Sequence, residues 1–195
     1  MKKIIILFFV ILSQCLNVGA DTSSEIKRII VGNNGAKINI IVYESLTCSH
    51  CANFHINVFP ELKREYIDTG IAKIEFRHFP LDVAAFNASK IAQCKNDGNS
   101  DILNILYLNQ PKWIKGETIE EVNNNLKKFL ISENINVDFN KCTTNKNIED
   151  FILNDRIEGV KKFKVNATPT IIINNKKFEK SLNYKNLKKT LEKLI

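Results

Sequence analysis

The sequence predicts an α/β protein with a helical block set into its middle. Three observations carry that expectation. A strand–helix–strand succession runs from Lys37 to Phe76, a series of capped helices fills positions 82–163, and a strand hairpin with a terminal amphipathic helix closes the chain. Parallel strands joined by a crossover helix make an α/β unit, and a hairpin with a last helix can complete the same sheet. The 195 residues suit one domain with an insertion, and 44% hydrophobic with 25% charged residues is ordinary globular usage. The expected main body is residues 21–81 and 164–195, and the insertion is 82–163.

The first element is an export signal over residues 1–20. Met1-Lys2-Lys3 gives a positive start, Ile4 to Leu12 is an unbroken apolar run, and Val18-Gly19-Ala20 offers small residues for cleavage. The run is shorter than the roughly twenty residues a spanning helix needs. A retained anchor is one alternative. A lipoprotein anchor at Cys15 is another, though Gln14 stands where a lipobox has a small residue. Cleavage after Ala20 removes Cys15 and leaves Cys48, Cys51, Cys94 and Cys142.

Glu25 to Val31 reads as an edge strand, Gly32 to Gly35 as a turn and Lys37 to Tyr43 as a buried strand rich in Ile and Val. Thr47 is the expected N-cap of a helix that Cys48 opens and that runs to Tyr66, with Pro60 breaking or kinking it. Ile71 to Phe76 is the next strand. Asp82 caps a helix reaching Cys94, Ser100 caps a second, and Thr118 with Glu121 has capping-box spacing for a third that ends at Glu133. Asn147 to Phe163 reads as a fourth, with Phe151, Ile152, Ile157, Val160 and Phe163 on its apolar side. Thr170 to Ile173 and Lys176 to Phe178 flank an Asn174-Asn175 turn. Asn183 to Leu194 is the last helix, with its lysines on the solvated face.

The net charge of +7 raises the question of nucleic acid, but the basic residues are dispersed and no RNA-binding motif accompanies them. The informative cluster is Cys48-Ser49-His50-Cys51 at a strand-to-helix junction. Cysteines at i and i+3 close a small disulfide, and the helix N-terminus favours an anion on the first of them. A protonated His50 adds positive charge nearby. Both effects stabilise a Cys48 thiolate, favour the reduced form and make the disulfide an oxidant. A purely structural bond across three residues constrains little of the unfolded chain. Zinc binding by Cys48, His50, Cys51 and His55 has the right ligand types, but adjacent His50 and Cys51 suit one tetrahedron poorly. An exported chain meets oxidising conditions, where four cysteines allow three pairings; with Cys48 and Cys51 paired locally, Cys94 and Cys142 remain for each other. Far along the chain, Thr168-Pro169 precedes a strand, where the bond is either an ordinary trans proline or a cis proline whose neighbours can pair with an extended peptide.

The stretch from Val42 through Cys48-Ser49-His50-Cys51 to His55 resembles the active-site segment of DsbA-like thiol:disulfide oxidoreductases. Phe76 to Asp82 is similar to that family's second strand and its exit, and Thr168-Pro169 to its cis-proline loop. The resemblance covers Lys37 to Leu194. It implies a thioredoxin fold with a helical insertion, Cys48 as the attacking cysteine, Cys51 as the resolving one and Pro169 as the facing cis proline. It further implies a periplasmic enzyme with no cofactor beyond its own redox-active disulfide and no metal. Its partners would be newly exported cysteine-containing proteins and a membrane-bound DsbB-like oxidant. The second pair, Cys94 and Cys142, resembles the alphaproteobacterial branch, and the short chain leaves little room for a dimerisation domain, so a monomer is expected.

One departure stands out. The family commonly has a buried Glu six residues before the first cysteine, where this chain has Val42. Glu44 lies two residues later on the same strand face, either for proton transfer or as a solvated strand-end acid. Thr168 before the proline is found with isomerases as well as oxidases, so an isomerase or reductase is the alternative reading, and a non-catalytic secreted binding protein or zinc module another. His55 is expected to be a packing residue, His78 a surface residue, and Trp113 part of the insertion's core or rim.

Overall fold

The computed structural model describes residues 25–195, so the export signal and Cys15 lie outside the described residues. Five strands form one sheet: β1 (Ile29–Gly32), β2 (Ile38–Glu44), β3 (Ala72–His78), β4 (Thr170–Ile173) and β5 (Lys176–Lys177), in the order β1-β3-β2-β4-β5. The central pair β2 and β3 is parallel, and every other pair is antiparallel. Between β2 and β3 lie α1 (Ser49–Asn57), α2 (Phe59–Leu62) and a π-helical turn (Lys63–Ile67). Between β3 and β4 come α3 (Val83–Gln93), α4 (Asp101–Leu108), α5 (Gln110–Trp113), α6 (Ile119–Ser132), α7 (Phe139–Thr144) and α8 (Lys146–Phe163), and α9 (Tyr184–Leu191) ends the chain. This is a thioredoxin fold with a helical insertion.

The sheet is apolar on both faces, as a sheet covered on both sides must be. Ile38, Ile40, Val42, Ile74, Phe76, Ile171 and Ile173 face a core that continues through α1 into the inserted helices, where Trp113, Leu126 and Leu130 are buried. Ile41, Tyr43 and Ile172 point the other way and meet Phe163 and Val165. Gly159 explains how closely α8 approaches: a Cβ there would stand 2.8 Å from the Tyr43 ring. Glycine costs a helix interior about 1 kcal/mol, and here it admits an aromatic ring in return.

Several sequence expectations shift. The long helix from Cys48 to Tyr66 is three pieces, with the first break at Val58, just before Pro60 as expected. Pro60 sits in the first turn of α2, where its missing N–H costs nothing. Asp82 and the Thr118–Glu121 capping box form, whereas Ser100 stands at an N-terminus without a side-chain cap bond. On α8 the buried face is Ile148, Ile152, Asp155, Gly159 and Phe163, while Ile157 and Val160 are exposed. The polar Asp155 takes a buried place because Arg28 and the His78 backbone N–H both donate to it. The edge strand is Ile29–Gly32 rather than Glu25 to Val31, and the hairpin partner is two residues rather than three. A disulfide joins Cys94, at the end of α3, to Cys142 in α7, with Cα atoms 5.5 Å apart.

Candidate active site

The cysteine motif sits where β2 leaves the sheet. Ser45, Leu46 and Thr47 form the turn, closed by the Cys48 N–H donating to the Ser45 carbonyl at 3.0 Å. Cys48 itself is the N-cap of α1, with extended backbone and no side-chain cap bond. The expected cap, Thr47, is engaged elsewhere: its hydroxyl donates to Asp82 Oδ2 at 2.6 Å. Asp82 therefore ties the loop down with one oxygen while its other oxygen caps α3 through the Ala85 N–H. From the insertion, the Gln110 amide donates to the Leu46 and Cys48 carbonyls at 2.8 and 3.1 Å. Nothing in the sequence around Gln110 announces this clamp, because its partners lie more than sixty residues away.

The two cysteines have opposite environments. Cys48 is half-buried, and its thiol is lowered to about 5 from the ordinary range. The Cys51 thiol donating to it is the largest cause. Burial opposes, and the Thr168 side chain and the backbone N–H groups of Cys51 and His50 add to the lowering. His50 and Ser49 are exposed, so His50 acts on the sulfur here through its backbone rather than as a buried charge. Cys51 is fully buried, and its thiol is pushed far above its usual value by burial, then by the bond to Cys48 and then by the Glu44 charge.

Across from them the Thr168–Pro169 bond is cis. The Thr168 carbonyl lies 3.3 Å from Cys48 Sγ and accepts from it when the thiol is protonated. His50, Asn53, Phe54, Val58, Thr168, Pro169 and Leu182 line a cavity of about 250 Å³ beside the sulfur. Two of these, His50 and Asn53, are exposed polar side chains, and Phe54, Val58, Pro169 and Leu182 are apolar.

Three acid–base residues are buried, one of them, His78, against expectation. Glu44 is not a solvated strand-end acid but 1% exposed. The pleat that buries Ile38, Ile40 and Val42 also buries Glu44, on the face against α1. His55, expected as packing, is 3% exposed; its Nε2 is 2.8 Å from Glu44 Oε2 and its Nδ1 is 3.1 Å from Asn104 Oδ1. His78, expected at the surface, is buried on β3 against Gln93, and burial lowers its pKa to about 4. The sequence carried a signal for the first pair: Glu44 shares a strand face with core residues, and His55 stands one turn after Cys51. With both imidazole nitrogens engaged and His50 at the surface, the Cys48, His50, Cys51, His55 set does not converge. Among the described residues no three His, Cys, Asp or Glu side chains group to hold a metal ion.

A thioredoxin family model matches residues 24–193 of the chain. The crystal structure of alpha-DsbA1 from Wolbachia pipientis is 31% identical and superposes with a TM-score of 0.76, over 86% of this chain and 90% of that one. A Rickettsia bellii protein named "Putative protein-disulfide oxidoreductase" is 31% identical over 149 residues, 74% of this chain. The chain spans 56% of that relative's length. Oxidised BdbD from Bacillus subtilis, at 21% identity and a TM-score of 0.68, shares the fold.

Proposed function

Because this chain belongs to the DsbA-like branch of the thioredoxin superfamily, we propose that it introduces disulfide bonds into exported proteins through Cys48 and Cys51. The observation that carries the reading is the asymmetry of the pair: a half-buried thiolate-forming Cys48 against a buried Cys51 held as a thiol. A substrate thiolate attacks Cys48 Sγ, the Cys48–Cys51 bond breaks, and its electron pair leaves on Cys51, which takes up a proton with Glu44 as the nearby carboxylate. A second substrate thiolate then attacks the substrate sulfur of the mixed disulfide, and Cys48 leaves as a stabilised thiolate. The substrate loses two electrons and the enzyme gains them. The disulfide is the only redox group required, and a membrane-bound DsbB-like oxidant restores it.

The stabilised thiolate favours the reduced enzyme, which supports oxidation over isomerisation. The backbone beside cis Pro169 and the adjoining cavity hold the extended substrate segment. Residues 82–163 contribute Gln110, which fixes the loop under Cys48. The export signal pattern and the Cys94–Cys142 bond support a periplasmic setting. Among the described residues no helix is long and apolar enough to cross a membrane.

The test mixes the oxidised protein with a reduced, unfolded, multi-cysteine substrate. Disulfides should pass stoichiometrically to the substrate, Cys48→Ala should transfer none, and Cys51→Ala should accumulate a mixed disulfide. A wild-type protein that leaves the substrate reduced would contradict the proposal.

A further inference from the structure

Basic residues are dispersed along the chain, but the excess of positive charge is not. Residues 25–173 carry nineteen basic and eighteen acidic side chains, whereas residues 174–195 carry seven lysines and two glutamates. Nearly all the surplus charge of the described residues therefore lies in the Asn174-Asn175 turn, β5, α9 and the chain joining them. Only Lys188 of these lysines has a carboxylate partner, Glu65. Lys176, Lys180, Lys185, Lys189 and Lys193 are exposed and form no ion pair among the described residues.

The lysines share one face. Lys176, Lys177, Lys180 and Lys193 rim a groove of about 370 Å³ between β5 and the turn that follows α9. Its floor is apolar, made by Ile173, Phe178 and Leu194. Lys185 and Lys189 extend the charge along α9, one turn apart and on the side away from the buried Leu187 and Leu191. Lysine stems lie along apolar surface while their ammonium groups reach outward. Glu179 at the groove and Glu192 after α9 are the only acids in this segment.

We propose that this face docks on an anionic phospholipid surface, with lipid phosphates at the lysines and part of one acyl chain in the groove over Phe178. An anionic leaflet attracts a basic patch that comes within a Debye length of it. The apolar floor adds a contact that only an amphiphile can use. The breadth of the lysine face, from β5 along α9, matches an extended negative surface better than one acidic peptide. The open sheet edge offers such a peptide little, because β5 is two residues long and both are lysines. Leu187 and Leu191 stay in the core, so α9 meets lipid with its charged side while it remains packed on the sheet. Docking brings the protein to the membrane, where the oxidant proposed above resides, but the inference does not depend on the thiol-exchange reading.

The experiment sediments residues 21–195, without the apolar leader that could itself bind lipid, with vesicles. One set is phosphatidylcholine with about one-third phosphatidylglycerol, the other phosphatidylcholine alone. Wild type should sediment with the anionic vesicles and stay in solution with the neutral ones. Binding should fall about tenfold or more between about 0.05 and 0.3 M salt. Lys176→Glu with Lys177→Glu and Lys193→Glu should lower it by more than about tenfold. The same charge change on exposed lysines of α6 and α7, Lys127→Glu with Lys128→Glu and Lys141→Glu, should stay within about threefold. Glutamine at positions 176, 177 and 193 carries the test if the reversed set does not fold. Millimolar inorganic phosphate should not displace the protein from the vesicles. The proposal is overturned by wild type that ignores anionic vesicles, by equal losses in the two reversed sets, or by release with free phosphate. An acidic peptide that binds where vesicles do not assigns the face to a protein partner and overturns it as well. Disulfide transfer to a soluble substrate is measured on the same wild-type preparation; its absence contradicts thiol exchange and leaves the docking result standing.

Discussion

Cys48 and Cys51 are three residues apart and differ in every respect that matters to sulfur chemistry. One lies at a helix N-terminus beside solvent; the other is sealed in the core. The thiolate on Cys48 draws its stability from a neighbouring thiol, a threonine and backbone N–H groups, all fixed by the fold. This has a pH signature with a definite sign. A group whose folded-state pKa is depressed stabilises the fold above its unfolded value, and that stabilisation disappears as pH falls through the folded value. Reduced protein should therefore gain stability over oxidised protein as pH rises from about 5, the Cys48 midpoint. Urea unfolding of both forms at several pH values between 4 and 7.5, a range in which Cys51 remains protonated, checks it. A stability gap that does not change with pH across that window would place the Cys48 midpoint elsewhere. At this scale the cysteine motif was legible because its chemistry is local. Gln110 was not, and Glu44 and His55 showed only as a strand face and a helical spacing, because their partners lie 11, 49 and more than sixty positions away in the chain.

Elements were easier to read where local hydrogen bonds decide them. The Asp82 cap and the Thr118–Glu121 box are short-range devices, and both formed. Apolar pattern misled where long-range polar contacts took over. Ile157 and Val160 gave α8 an apolar look, yet its buried face is set by Asp155 meeting Arg28 and by Gly159 meeting Tyr43. The break at Val58 falls two residues before Pro60, whose missing N–H leaves the Ile56 carbonyl without a helical partner. The α7 helix has six residues, too few to persist alone, and the Cys94–Cys142 bond pins it to α3 across a sequence separation of 48. Closing a loop of that size restricts the unfolded chain by about 4 kcal/mol in the chain-entropy picture. Replacing both residues, Cys94→Ala with Cys142→Ala, should lower the melting temperature by roughly 8–16 °C while thiol transfer through Cys48 continues. Calorimetry and the substrate assay measured on the same preparation decide it. Unchanged stability with lost transfer would reassign the bond from structure to regulation.

At the scale of the whole molecule, the sheet places the sulfur chemistry at the end of β2, and the insertion returns to secure it. Gln110 holds the Cys48 carbonyl from one side, Asp82 holds Thr47 from another, and the cis Thr168–Pro169 turn brings a third segment against Cys48 Sγ. Segments from three distant parts of the chain thus meet at the Thr47–Cys48 loop. The succession of strands and helices made the α/β class legible, and the resemblance to DsbA-like proteins gave the thioredoxin fold. Which inserted residues reach back to the loop is a matter of tertiary packing that periodicity does not encode. Under the proposed function, this assembly stabilises the reduced pair and so makes the disulfide an oxidant. Equilibrating the protein in glutathione buffers of known ratio, and quantifying reduced Cys48–Cys51 at each, tests it most directly. A reduction potential more positive than about −200 mV is the expected result, and a value near −270 mV, as for a reducing thioredoxin-type dithiol, would contradict it.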